Sequence, residues 1–474
     1  MPPCQSGNCA LAGRNTAHKR RTHPIYAKTP LTTAKKLLKF LPDVFCVFVT
    51  LAFFTGRGKE TIMRRVAITG MGIVSPIGIG IQTFWQSVRN GVCGIAPITR
   101  FDASTLSCRI AGEVKNYNPI DFLEHRLVQR TAVFAQFAMI AGQEAWNDAG
   151  LDQFTFDDPS RCGVLLGNGI GGLEVDDEAH RKLFDKGNSR IPAMTIPKMI
   201  ANEAAGNVSM ILGIKGSAHV VVTACASGTD AVGFALDRIR CGRADVMLTG
   251  GTESTITEYG IGGFCQLKAL STDFNDEPHR ASRPFDKDRD GFVMGEGAGI
   301  VILEEWEHAK RRGAKIYAEL AGFGSSADAF HLTAPSPDGE GAVRAIRLAM
   351  EDAGLKPEDV HYINAHGTST PINDPIETKA IKSAFGEHAY KLAVSSTKSM
   401  TGHALGAAGG METVITALAV RDNFFPATLN LDEADPECDL DYVPNKGRSG
   451  AIDAALSLSL GFGGHNSVIA VKKV

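Results

Sequence analysis

The chain has 474 residues, 44% of them hydrophobic and 21% charged, with 51 glycines; this is an ordinary balance for a soluble globular enzyme, long enough for a large core or two fused domains. A net charge of −3 gives no reason to expect a nucleic-acid partner. The ten cysteines form no Cys-x-x-Cys and no Cys/His cluster of zinc-finger spacing, so no metal site is expected, and they read as reduced thiols of a cytoplasmic protein.

Residues 1–62 differ from the rest. Residues 1–42 carry no acidic side chain, and an apolar run, "VFCVFVTLAFF", fills 44–54. Eleven residues are too few for a confident membrane span. The segment reads as an acid-poor targeting peptide, a basic interfacial anchor, or an extension from an upstream start; membrane contact depends on 44–54. "MRRVAITGMGIVSP", from Met63, reads as the start of a domain. Without the extension the body carries a net charge of −11.

The body repeats itself in order. "RRVAITGMGIVS" (64–75) is echoed by "IYAELAGFGSSA" (316–327), and "AWNDAGLD" (145–152) by "AMEDAGLK" (349–356). A hairpin-like piece closes each half, at 291–305 and 461–473. Repeats of this length predict two duplicated domains, here 63–312 and 313–474. In the first half "CGVLLG" (162–167), "HVVVTA" (219–224) and "DVMLTG" (245–250) read as strands buried on both faces. A helix follows, with Val232, Ala235, Leu236 and Ile239 at helical spacing and Gly242 as its stop. In the second half, strands at 360–365 and 392–397 lead to a helix through "ALGAAGGMETVITALAV". The expectation is an α/β architecture of two similar βα halves.

Cys225 falls in "VVTACASGTDA", where a strand ends and a helix begins. A helix N-terminus offers unpaired N–H groups and partial positive charge, so the thiolate is favoured and the pKa is expected to fall. Ala226, Ser227 and Gly228 allow close approach of a substrate. Packing is the alternative reading, as for the other nine cysteines. In the second half, "NAHGTST" puts His366 after a strand, and "STKSMTGHALGAAGG" puts His403 at the mouth of a small-residue helix. Their spacing does not suit metal ligation. Glu412 sits in an otherwise apolar helix and would need a partner if buried, with Lys398 a candidate. "GFGG" (461–464) could offer a backbone N–H to an oxyanion, with Phe462 as an apolar lid, or be a plain turn. "GNGIGG" (167–172) invites a nucleotide-loop reading, but the expected downstream acid is not apparent.

At "TACASG", "NAHGTSTPINDPIET", "STKSMTGHALGAAG" and "GFGGHN", joined by "GGTES" and "RPFDKDRDGFVMGEGAG", the chain resembles the elongating, type II β-ketoacyl-acyl carrier protein synthases. The resemblance covers about residues 63–474. It implies a thiolase-like fold, two duplicated halves in an α-β-α-β-α sandwich, usually as a homodimer and without a cofactor. It further implies that Cys225 takes an acyl chain from acyl carrier protein as a thioester. His366 and His403 would promote malonyl decarboxylation and stabilise the enolate. The N–H groups of Cys225 and Phe462 would form the oxyanion hole, with Lys398 and Glu412 a supporting polar pair. Thr368 and Thr370 match threonines that contact the pantetheine arm, and Ile170 a residue lining the acyl pocket. Arg130 and Lys268 match basic docking positions for the acidic carrier; Arg126 joins them by proximity. The chain departs from the family at Leu458-Ser459-Leu460, where Asn-Ser-Phe is usual, which bears on acyl-length preference.

Other readings use the same residues. A polyketide or specialised-lipid ketosynthase shares the Cys-His-His set. A catalytically dead scaffold partner would lack Cys225. A cysteine hydrolase would not account for His403 or for the repeat.

Overall fold

The computed structural model describes residues 63–474, which form one compact unit. The readings of residues 1–62, including the 44–54 run, lie outside the described residues. Among the described residues, no helix is long and apolar enough to cross a membrane.

Two sets of five strands carry the architecture. The first holds β1 (Val66–Ser75), β2 (Cys162–Gly167), β3 (Ala218–Val221), β4 (Val246–Glu253) and β5 (Gly297–Glu305); the second holds β6 (Ala318–Ala327), β7 (Tyr362–Asn364), β8 (Ala393–Ser395), β9 (Ala454–Gly461) and β10 (His465–Lys472). Their spatial order is β3-β2-β4-β5-β1 in one set and β8-β7-β9-β10-β6 in the other. In each set the third, second and fourth strands run parallel, and the last two pairings are antiparallel. Same order and same directions, twice, is the structural counterpart of the sequence repeat. The sets join edge to edge where Ala67 and Ile68 pair with Glu319 and Ala318.

Alternating side chains sort the layers, because successive residues of a strand face opposite ways. On β2, Val164 and Leu166 face a core with Phe134 and Phe137 of α1 (Val133–Asp148), while Leu165 faces the central core. Ile300 and Ile302 of β5 face outward to α1, and Val301 and Leu303 inward. The central layer is α2 (Ser227–Arg240) and α4 (Ala408–Asp422), packed between the two sets. On the far side, α3 (Glu340–Asp352) covers β6 and β10. The layers thus read helix, sheet, helix, sheet, helix.

The small-residue runs set how closely the central helices meet. A Cβ at Gly228 would lie 2.7 Å from the Gly410 backbone nitrogen, and one at Gly409 would lie 2.1 Å from Thr229 Oγ1. Backbone contact at this crossing brings the N-terminal turns of both helices to one place. The "DAGL" repeats end α1 and α3 alike: Gly150 and Gly354 take φ +67° and +62°, and the Leu151 and Leu355 N–H groups close back on the Trp146 and Met350 carbonyls. This is a glycine C-terminal cap used twice.

Two expectations are corrected. The 219–224 run is not doubly buried: β3 is the end strand of the sheet, Ala218 and His219 are exposed, and Val222 is 57% exposed. Residues 291–305 are not a hairpin: β5 pairs with β4 across a long connection, whereas β9 and β10 do form one, closing at Gly461 and His465.

Candidate active site

Cys225 lies in a single 3-10 turn, Ala224–Ala226, directly before α2. The turn is held hard. Ser227 Oγ accepts from the Thr223 N–H at 2.8 Å and donates to the Ala224 carbonyl at 2.6 Å. Asp230, buried on α2, accepts from Thr223 Oγ1 at 2.6 Å and from Ser467 Oγ of β10 at 2.8 Å. Ala224 takes φ +49°, a left-handed conformation that costs a non-glycine residue of order 1 kcal/mol. The β9–β10 hairpin tip presses on this turn. A Cβ at Gly461 would lie 2.9 Å from the Thr223 carbonyl oxygen and 3.3 Å from the Cys225 backbone nitrogen, so a side chain here would push the tip away from the turn. The Phe462 N–H favours negative charge on the Cys225 sulfur.

The expected low pKa of Cys225 is overturned. Burial pushes the thiol up to about 11, against the pull of the Phe462 N–H and the Lys398 charge. Desolvation outweighs both, so the resting group is a thiol. Burial, above all, pushes Cys108, Cys162 and Cys438 up to about 12; none of these three lines the cavity into which Cys225 opens.

His366 follows β7, and its turn is fixed from behind. Its N–H and that of Gly367 donate to Glu377 at 2.6 and 2.7 Å. Burial pushes the Glu377 carboxyl up to about 7, the Gly367 N–H opposing it most. His403 follows the short helix Lys398–Thr401, and its N–H bonds to the Val293 carbonyl at 2.7 Å. The two imidazoles stand 5.2 Å apart, centroid to centroid, at 89°. Phe292 meets His403 edge-on at 5.4 Å. Burial drives both histidines well below their ordinary value, and the Lys398 charge adds to it. Both are therefore neutral at physiological pH and each can donate one N–H.

Lys398 and Glu412 are buried and paired through Nζ and Oε1. Burial raises the Glu412 carboxyl to about 7 and Lys398 opposes it.

A cavity of about 500 Å³ collects most of the residues singled out in the sequence. Cys225, His366, His403, Phe462, Thr368, Thr370, Ile170 and Lys268 all line it. The Thr368 and Thr370 hydroxyls lie 3.1 Å apart. Leu460 also lines it and packs on Ala342, Val343 and Ala380; Leu458 points into the outer core instead. Lys398 and Glu412 stand behind the cavity rather than on its wall. Arg126 and Arg130 are exposed on the helix His125–Arg130 and do not line it. Sequence reasoning missed Asp230, Glu253 and Glu377. Asp230 and Glu253 are acids among small residues, and buried acids need donors; Glu377, close to Asp374 and Lys379, carries no such signal.

Two family models match the chain, "Beta-ketoacyl synthase, N-terminal domain" over residues 63–309 and "Beta-ketoacyl synthase, C-terminal domain" over 317–432. The chain is 54% identical over 412 residues to 3-oxoacyl-[acyl-carrier-protein] synthase 2 of Synechocystis sp., covering 86% of this chain and 98% of that protein. It is 51% identical to the Coxiella burnetii protein of the same name, covering 87% and 99%. Among solved structures, it is similar to a type II PKS ketosynthase in complex with its acyl-carrier protein and bound to a hexaketide, with TM-score 0.80, 38% identity and coverage of 87% and 99%. It is likewise similar to a β-ketoacyl synthase from Burkholderia phymatum, with TM-score 0.80, 35% identity and coverage of 87% and 100%. With a five-layer thiolase-like fold and a cysteine facing two neutral histidines across one cavity, the chain belongs to the β-ketoacyl synthase family.

Proposed function

We propose that the protein catalyses the elongating condensation of fatty-acid synthesis, joining an acyl group to malonyl-acyl carrier protein. The observation that carries this reading is the pair of neutral, buried histidines lining the same cavity as Cys225. In the first half-reaction the Cys225 sulfur attacks the acyl thioester carbonyl. A new C–S bond forms, the carrier's C–S bond breaks, and the carrier sulfur leaves with the Cys225 proton. The N–H groups of Cys225 and Phe462 hold the oxyanion, which suits fixed donors aimed at developing charge.

In the second half-reaction the malonyl carboxylate leaves as CO2. The electron pair of the broken C–C bond becomes an enolate, which His366 and His403 stabilise by donating N–H. The enolate carbon attacks the acyl carbonyl, the C–S bond to Cys225 breaks, and the sulfur takes a proton from solvent, the one proton the overall reaction consumes. The products are 3-oxoacyl-carrier and CO2. Burial keeps both imidazoles neutral, and the charge of Lys398, paired with Glu412, adds to it. Thr368 and Thr370 contact the pantetheine arm, and Ile170 lines the acyl end. Arg126, Arg130 and Lys268 dock the carrier.

The halves 63–312 and 313–474 act as one unit in a homodimer, formed by pairing β3 with its copy. Support comes from β3 itself, which among the described residues ends the sheet with an unpaired edge beside exposed Val222 and Met210; such edges are templates for pairing. A reducing, cytoplasmic compartment suits thiols buried singly. Incubating the protein with acyl-carriers of several lengths and malonyl-carrier, with products read by mass, tests the reading. A 3-oxoacyl product two carbons longer than the primer supports it, and simple thioester hydrolysis contradicts it.

A further inference from the structure

Glu253 ends β4 and is wholly buried, yet it has no part in the chemistry above. Its Oε2 accepts from the Gly169 N–H at 2.7 Å and the Gly406 N–H at 3.1 Å. Its Oε1 accepts from the Asn168 amide at 3.2 Å and the Ile170 N–H at 3.4 Å. One carboxylate thus gathers donors from two segments. The first is the loop after β2, in the first half of the chain. The second is the turn after His403, in the second half.

Both segments contribute to the cavity wall. Gly169 and Ile170 come from the first, and Leu405, next to Gly406, from the second. They meet over Glu253 with no space to spare. A Cβ at Gly406 would lie 2.3 Å from the Gly169 backbone nitrogen and 2.8 Å from Glu253 Oε2. Leu405 is held at φ +46°, so its place depends on such anchoring. A carboxylate is the fitting group, because it only accepts and both its oxygens face donors. Burial pushes its pKa up to about 7, and the Gly169 N–H is the foremost group opposing this.

We propose that Glu253 is a positioning residue that fixes the spacing between the Ile170 and Leu405 walls and thereby sets which acyl chains the cavity accepts. This rests on the reading of Cys225 as the acyl-bearing group. A plain fold staple would lower activity alike for every chain length, whereas a spacer of the acyl chamber alters the ratio between lengths. Glu253→Gln places an amide N–H against the Ile170 and Asn168 donors and pushes the loop outward. Glu253→Asp keeps the charge but shortens its reach, and carries the same test by an independent change.

The experiment measures acylation of Cys225 by short-, medium- and long-chain acyl-carriers, read by intact-protein mass, in wild type and both variants. Glu253→Gln is expected to raise the long-to-short ratio of kcat/KM by about tenfold, and Glu253→Asp to shift it as well. A common slowing at all lengths in both variants overturns the proposal. Wild-type protein that takes no acyl group on Cys225 overturns the underlying reading, and the inference falls with it; normal acylation with unchanged ratios overturns the inference alone.

Discussion

The imidazole of His366 stands perpendicular to that of His403, 5.2 Å away, although each comes from its own strand-to-helix corner of the second half. Among the described residues, neither ring has a carboxylate partner that would hold a second proton. Both face a cavity walled by Cys225 and Phe462. The pair is therefore a set of neutral donors, placed where charge would develop on a substrate.

Protonation of these rings should work against the fold. A histidine with a depressed pKa binds fewer protons folded than unfolded, so its contribution to stability is full above the ordinary value of 6.5 and is lost as pH falls below it. Glu253, Glu377 and Glu412, each raised to about 7, act in the opposite sense: their cost is relieved as pH falls from 7 toward 4.5. The total curve mixes the two, but a difference isolates one. The stability of wild type minus that of His403→Asn should decline on acidification below pH 6.5, by up to about 1.4 kcal/mol per pH unit. Urea unfolding at several pH values reads it, and a flat difference contradicts a buried neutral His403.

The half-reactions should fail separately. His366→Ala and His403→Ala should lose most malonyl-carrier decarboxylation, on the order of a hundredfold or more, while Cys225 still accepts an acyl group. Decarboxylation measured as released CO2 checks this. Wild-type rates in both variants would refute the assignment.

Breaking the Lys398–Glu412 pair should cost more than removing it. Lys398→Met leaves a buried carboxylate without its cation, a loss of about 3–5 kcal/mol. The double variant Lys398→Met/Glu412→Leu should regain much of that. Denaturant midpoints decide it, and a double variant no more stable than the single one contradicts a charged pair.

Docking of an acidic carrier meets a body of net charge −11, so local positive charge has to do the steering. Arg130→Glu with Lys268→Asp reverses two exposed charges. Aspartate suits position 268, which takes φ +53°, because its short side chain tolerates the left-handed region. The apparent KM for carrier-bound substrate should rise and its salt dependence flatten. Turnover of a small pantetheine thioester should persist. Unchanged carrier kinetics in a folded protein would move the patch elsewhere.

The repeated strand order was legible because each repeat carries its own punctuation: "DAGL" ends a helix twice, and each set of strands includes one that bears glycines. Cys225 and His366 stood out because small residues surround them just past strand ends, and His403 because it opens a run of small residues after the short helix Lys398–Thr401. The edge position of β3 was not, since "VVV" reads as interior and only tertiary neighbours decide which strand is last. The Cys225 pKa was misjudged for a similar reason. Local helix geometry can be read from "CASGTDA", but the desolvation that outweighs it comes from segments far away in the chain. Glu253 was overlooked because its four donors lie 83 to 153 residues away.

The central claim is that Cys225 carries an acyl group which the histidines' side of the cavity then elongates. Intact-protein and peptide mass spectrometry after mixing with acyl-carrier, before and after adding malonyl-carrier, tests it most directly. One acyl adduct is expected, on Cys225 and absent from Cys225→Ser, that is discharged by malonyl-carrier as a product two carbons longer. An adduct on Cys162 or Cys241, or one on Cys225 that leaves only as free acid, would contradict it.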